Sequence, residues 1–132
     1  MNAIHHIAFS CIDRLAQERF YTKQFGFRRT RVFNPDTPAE FIMLSLGDTR
    51  IELFSADGNT DGVRGHEQHV GFKHLAFSVP DIEASVAALH ADGIETDDII
   101  DCSGLVEGLK VCFFDDPEGN RLELMEGYKD QF

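Results

Sequence analysis

The chain of 132 residues has no tryptophan, only three cysteines and four prolines, and about half as many basic as acidic side chains, 12 against 23. Each scarcity closes off a class of function. A formal net charge of −11 repels phosphate backbones and anionic headgroups and attracts cations, so nucleic acid and membrane surfaces are excluded as partners. Cys11, Cys102 and Cys112 are too few and too scattered for a disulfide framework. None stands in the CxxC spacing of a zinc or redox pair, and all three read as buried thiols. No apolar run nears the roughly 20 residues that a membrane helix needs. The opening MNAIHHIAFS lacks the basic region and long apolar stretch of a secretory signal, so a cytoplasmic protein is expected. What remains is ordinary globular composition of a length that fits one domain, residues 1–132.

The chain repeats itself. His6-Ile7-Ala8-Phe9-Ser10-Cys11-Ile12-Asp13 lies over His74-Leu75-Ala76-Phe77-Ser78-Val79-Pro80-Asp81 at a shift of 68, with five of eight positions identical. Arg50-Ile51-Glu52-Leu53-Phe54 lies over Arg121-Leu122-Glu123-Leu124-Met125 at a shift of 71. Two modules of one design are implied, residues 1–55 and 71–132, joined by a polar, glycine-rich linker over 56–70. Each opens with an alternating apolar segment (4–11 and 72–79) that predicts a strand, followed by an aspartate suited to capping a helix. Ile82, Val86 and Leu89 recur at i, i+4, i+7. In the first module Ala16 with Phe20 and Tyr21 with Phe25 give i, i+4 pairs, and Gly26 and Gly93 stand where helices stop. A further strand (about 27–33 and 94–101) and a hairpin complete each module, the turns being Gly47-Asp48 and Asp116-Pro117-Glu118-Gly119-Asn120. The predicted architecture is α+β, with two tandem βαβββ modules.

Strand alternation decides which side chains share a face. His6 falls with Ala8 and Ser10, and His74 with Ala76 and Ser78, so both imidazoles stand on faces cleared by small residues. Glu52 and Glu123 point away from their apolar neighbours Ile51, Leu53, Leu122 and Leu124. A lone His or Glu on a strand face is usually only solvated or hydrogen-bonded. The same pair at equivalent positions of a duplicated unit is a different matter, because modules packed with pseudo-twofold symmetry bring two imidazoles and two carboxylates together. That set suits one borderline divalent ion, Zn²⁺, Ni²⁺, Co²⁺, Mn²⁺ or Fe²⁺, with positions left for water or substrate.

Other residues carry weaker signals. His5 points opposite to His6 and has no counterpart, since Lys73 precedes His74; His66 and His69 lie in the linker. All three read as structural or solvated. Arg28, Arg29 and Arg31 form the basic cluster, a feature able to bind a substrate carboxylate, although alternation separates Arg28 from the other two.

The segments HHIAFS, FYTKQFGF, RIELFS, KHLAFSVPDIEA and FFDDPEGNRLELME span nearly the whole chain, and together they resemble the vicinal-oxygen-chelate superfamily, above all its glyoxalase I-like branch. The resemblance implies paired βαβββ modules forming an incomplete barrel around a metal, with His6, Glu52, His74 and Glu123 at the ligand positions. It also implies Glu123 as catalytic base and Glu52 as its partner across the metal. A metal holding two adjacent substrate oxygens stabilises the charge left when a carbon-bound proton is removed. In a glyoxalase this converts the hemithioacetal of a 2-oxoaldehyde and a thiol into a 2-hydroxyacyl thioester. Ser10 and Ala56 stand where glutathione-using members tend to carry Arg and Asn. Extradiol dioxygenases normally use two His and one Glu, and methylmalonyl-CoA epimerases usually have Gln at the position of Glu52. Both remain as alternatives, beside non-catalytic small-molecule binders of the bleomycin-resistance kind. The resemblance further implies a homodimer, with the ligand set completed within one chain or between two.

Overall fold

The βαβββ order read from the sequence occurs twice. The computed structural model describes residues 2–58 and 70–132. The first module comprises β1 (Ile7–Cys11), α1 (Arg14–Phe25), β2 (Arg28–Phe33), β3 (Phe41–Leu46) and β4 (Thr49–Ser55). The second comprises β5 (Leu75–Ser78), α2 (Ile82–Ala91), β6 (Ile100–Asp101), β7 (Lys110–Asp115) and β8 (Arg121–Glu126). The chain divides into two compact units, Met1–Gly62 and Val63–Phe132. Most of the linker, with His66 and His69, lies outside the described residues.

Each unit holds one four-stranded mixed sheet, in the order β1-β4-β3-β2 or β5-β8-β7-β6. The first strand runs parallel to the last, while the remaining pairs are antiparallel. The parallel pair requires a crossover, and the helix supplies it. Asp13 starts α1 by accepting a 2.9 Å hydrogen bond from the Ala16 N–H, and Asp81 starts α2 through the Ala84 N–H at 3.1 Å. A cap of this kind is worth about 1 kcal/mol. Gly26 ends α1 in the left-handed region, at φ 79°, and its N–H returns to the Thr22 carbonyl.

Each helix covers one face of its own sheet. α1 packs on β1 and β4, and α2 on β7 and β8. Beneath α1 the side chains of Ile42, Leu44, Ile51 and Leu53 are fully buried, and Tyr21 reaches down between the rings of Phe9, Phe25 and Phe27. Beneath α2 lie Cys112, Phe114, Leu122 and Leu124, covered by Ile82, Val86 and Leu89. Burying each of these large side chains contributes roughly 1.5–3 kcal/mol. The opposite face of each sheet is left to the alternate residues of the same strands.

Three expectations are corrected. The opening strands begin at Ile7 and Leu75, so His6 and His74 each stand one residue before the ladder. The parallel ladders open at the pairs Ile7–Ile51 and Leu75–Leu122, and neither extends upstream. The strand expected over 94–101 is reduced to Ile100–Asp101, because upstream only isolated contacts reach β7, such as Asp97 N–H to the Phe113 carbonyl. Finally, Cys102 is half-buried, whereas Cys11 and Cys112 are enclosed as expected.

Candidate metal site

Glu52 sits in the middle of β4, with Ala8 beside it on β1 and Met43 on β3. Its side chain therefore leaves the sheet on the face away from α1, as alternation requires. The small Ala8 lets it be approached from the β1 side, where His6 arrives. Nε2 of His6 lies 2.7 Å from Oε1 of Glu52. The second unit builds the same arrangement: Glu123 lies between Ala76 and Phe113, and its Oε2 is 2.8 Å from Nε2 of His74. Both carboxylates are buried at 7 % exposure, whereas the histidines keep an open edge.

These pairs fit a divalent ion. At 2.7 and 2.8 Å each pair is a direct imidazole–carboxylate contact, which an ion about 2.1 Å from both donors would open to about 3–3.4 Å. Imidazole nitrogen and carboxylate oxygen are the donors a borderline divalent cation prefers. The far side of His6 is also held. Its Nδ1 is 2.9 Å from Nδ1 of His5, and the two rings meet edge to face at 5.2 Å. Strand alternation had placed His5 on the opposite face, but both residues precede the strand, where alternation has no force. A hydrogen bond at the second nitrogen fixes which ring atom is free to ligate. His74 is steadied differently, by the edge of Phe113 at 5.4 Å.

The arginine cluster is also divided differently from the alternation reading. A β-bulge between Arg29 and Arg31 shifts the register of β2 against β3. Arg28 and Arg31 thereby stand opposite Ser45 and Met43, on the face of Glu52, while Arg29 stands opposite Leu44 on the helix side. There Arg29 binds Glu18 of α1, Nε to Oε2 at 2.6 Å. The sequence reading also passed over the aromatic residues of this face. Phe33, Phe41 and Phe54 stack across three strands, with centroids 4.4 and 4.2 Å apart. Asp116 opens the turn expected from the sequence over 116–120. It is buried and organises the 116–120 turn by accepting from the Glu118 and Asn120 N–H groups, each at 2.9 Å, which sets the start of β8 two residues before Glu123.

The fold and the repeated pair define an α+β protein of tandem βαβββ modules, each carrying one His–Glu set. The chain belongs to the glyoxalase/bleomycin resistance protein/dioxygenase superfamily, whose family model matches residues 3–124. It is 34 % identical over 128 residues to the uncharacterized protein YwkD of Bacillus subtilis, covering 96 % of this chain and 98 % of that one. A solved glyoxalase family protein from Enterococcus faecalis is 34 % identical, with a TM-score of 0.74 over 94 % of this chain and 97 % of that chain. The fosfomycin resistance protein FosX of Listeria monocytogenes, solved with Mn(II) and sulfate, has a TM-score of 0.71 over 97 % of this chain and 94 % of that chain. At 15 % identity that likeness shows the fold alone. Among the described residues, no helix is long and apolar enough to cross a membrane.

Proposed function

We propose that His6, Glu52, His74 and Glu123 together hold one divalent metal ion. On this reading the protein is a metal-dependent lyase or isomerase of glyoxalase I type, acting on a small substrate with adjacent oxygens. The hemithioacetal of a 2-oxoaldehyde and a thiol is the first candidate. The observation that carries the reading is the recurrence of one His–carboxylate pair, at 2.7 and 2.8 Å, at the same place in both sheets. The bound ion would stabilise charge developing on two neighbouring substrate oxygens. Glu123 takes the carbon-bound proton and delivers it to the neighbouring carbon, so the base is regenerated, with Glu52 its partner across the metal. Both carboxylates stand near strand centres, opposite Met43 and Phe113, and are buried, which supports this role. A homodimer in a reducing cytoplasm accords with the family and with three free thiols.

The test is elemental analysis of protein purified without added metal or chelator, followed by a methylglyoxal-plus-thiol assay of the reconstituted protein and its Glu123→Gln variant. One metal per site is expected, with turnover falling about 10²–10⁴-fold in the variant. No metal after reconstitution rejects the reading in favour of a bleomycin-resistance-like binder. Metal with oxygen uptake on a catechol, or with epimerisation of methylmalonyl-CoA, keeps the site and reassigns the reaction.

A further inference from the structure

The two sheets are built alike at the His–Glu pair and differently beside it. Across the first sheet, one row of side chains on the Glu52 face runs from Ala8 through Glu52 and Met43 to Arg31. The neighbouring row carries Ser10, Phe54, Phe41 and Phe33, the last three forming the stacked ladder. In the second sheet the ladder positions are taken by Met125, Val111 and Ile100. Its arginine, Arg121, is already engaged by Asp97 and Asp115. Arg28 and Arg31, by contrast, make no ion pair among the described residues, in a chain with 23 acidic side chains to choose from. Arg31 lies over the Phe33 ring, 5.6 Å from its centroid, as Arg121 lies over Phe113 at 5.3 Å, so what sets the first sheet apart is the three-ring ladder and the absence, among the described residues, of an acidic partner for Arg28 and Arg31. Duplication alone would have made the two faces equal, so the aromatic and basic features belong to what the first sheet recognises.

We propose that this face selects a planar aromatic carboxylate whose acid group is bound by Arg31 and Arg28 and whose ring lies against the phenylalanine ladder, with its far end at His6 and Glu52. The spacing suits such a molecule. Arg31 stands two strands from Glu52, about 10 Å at the backbone, which is the length of a substituted aromatic acid once the arginine reaches inward. Arginine offers the paired N–H donors that match a carboxylate. The ladder rings cover one another's faces and leave their edges, whose partial positive charge suits the face of a ligand ring. The far end of the ligand rests on the metal reading given above, because an oxygen pair there needs the ion; the acid and ring contacts do not.

Calorimetric titration of metal-loaded and metal-free protein with caffeate, catechol, cinnamate and hexanoate separates these parts. Caffeate should bind the loaded protein about tenfold more tightly than catechol, and an Arg28→Gln/Arg31→Gln variant should erase that advantage. Both arginines are exposed, so the variant is expected to fold. Cinnamate should bind the metal-free protein and lose about tenfold in the same variant, whereas hexanoate should bind more weakly. Equal affinity for caffeate and catechol, or an unchanged ratio in the arginine variant, overturns the proposal and leaves the metal reading intact. Hexanoate binding as tightly as cinnamate overturns the aromatic part. Cinnamate binding through the arginines in a protein that takes up no metal sustains the proposal and rejects the metal reading.

Discussion

Nε2 of His6 and Oε1 of Glu52 lie 2.7 Å apart, although 46 residues separate them in sequence; the parallel pairing of β1 with β4 brings them together. His74 and Glu123 repeat the relationship through β5 and β8. If both pairs serve one ion, replacing either carboxylate should damage binding to a similar degree. Glu52→Gln and Glu123→Gln are each expected to weaken metal affinity by at least about 10–100-fold, the loss caused by disturbing even an outer-shell group. A competition titration with a chromophoric chelator measures it. An unchanged affinity in one variant removes that residue from the ligand set.

Metal should also stabilise the folded chain, because an unfolded chain does not hold the four donors together. At a free concentration one hundred times the dissociation constant, linkage gives about 2.7 kcal/mol. For a domain of this size that corresponds to a rise in Tm of roughly 8–12 °C. Thermal unfolding of the Glu52→Gln/Glu123→Gln double variant should show no such rise. A rise of the same size would mean that the stabilising ion sits elsewhere.

The faces of Glu52 and Glu123 were legible in the sequence because period-two alternation puts both away from Ile51 and Leu122, and the duplication, which writes each His–Glu pair twice, pointed to His6 and His74 beside them. The hairpin geometry was legible too. Counting back from the Gly47-Asp48 turn sets Met43 opposite Glu52 and brings Phe41 to Phe54, a step available from turn length alone. The partition of the arginines was not legible. It depends on the bulge at Thr30, whose Oγ1 contacts Ser45 Oγ at 3.1 Å, and one extra residue in a strand reverses every inference from alternation beyond it. His5 was misplaced for a related reason, since the ladder starts at Ile7 and a periodicity argument carries no force outside it.

The thiols should divide by burial. Cys11 and Cys112 are fully enclosed, and burial pushes the Cys112 thiol above its ordinary pKa, with Thr96 opposing in part. Cys102 keeps partial exposure. Native protein at pH 8 should therefore show one fast-reacting thiol per chain towards a disulfide reagent, absent in Cys102→Ser, and three after unfolding. Fast labelling of two or more sites in the native protein would contradict the enclosed placement of the other two.

Glu40 should make stability depend on acid. Its carboxylate accepts from the Asp36 N–H at 2.8 Å and from Arg14 at 2.9 Å, which holds its pKa below the usual 4.5. A depressed carboxylate contributes stability that is fully present above its unfolded pKa and is lost as pH falls through the lower folded value. The Tm difference between wild type and Glu40→Gln should accordingly be constant from pH 6 to 8 and shrink below about pH 4.5. A difference that grows on acidification would reverse the sign and refute the contact.

The most demanding position outside the site is Gly127, which follows the last residue of β8. Its φ of 84° lies in the left-handed region, and a Cβ built there would stand 2.4 Å from the carbonyl oxygen of Gly108 and 3.0 Å from its carbon. Both are backbone atoms, which cannot swing aside as a side chain would. Gly93 shares the conformation at φ 78° but faces open space, so alanine there costs only the backbone term, about 1 kcal/mol. Gly127→Ala must add the displacement of one chain segment from the other, for a total of at least about 2–3 kcal/mol. The disturbance reaches further, because the preceding residue, Glu126, accepts the Ile82 N–H at 2.9 Å and so ties β8 to the start of α2. Denaturant unfolding of the two alanine variants side by side is the measurement. A loss at Gly127 at least twice that at Gly93 is the expected result; equal losses would mean that backbone conformation alone, and not the close approach to Gly108, demands glycine at the end of β8.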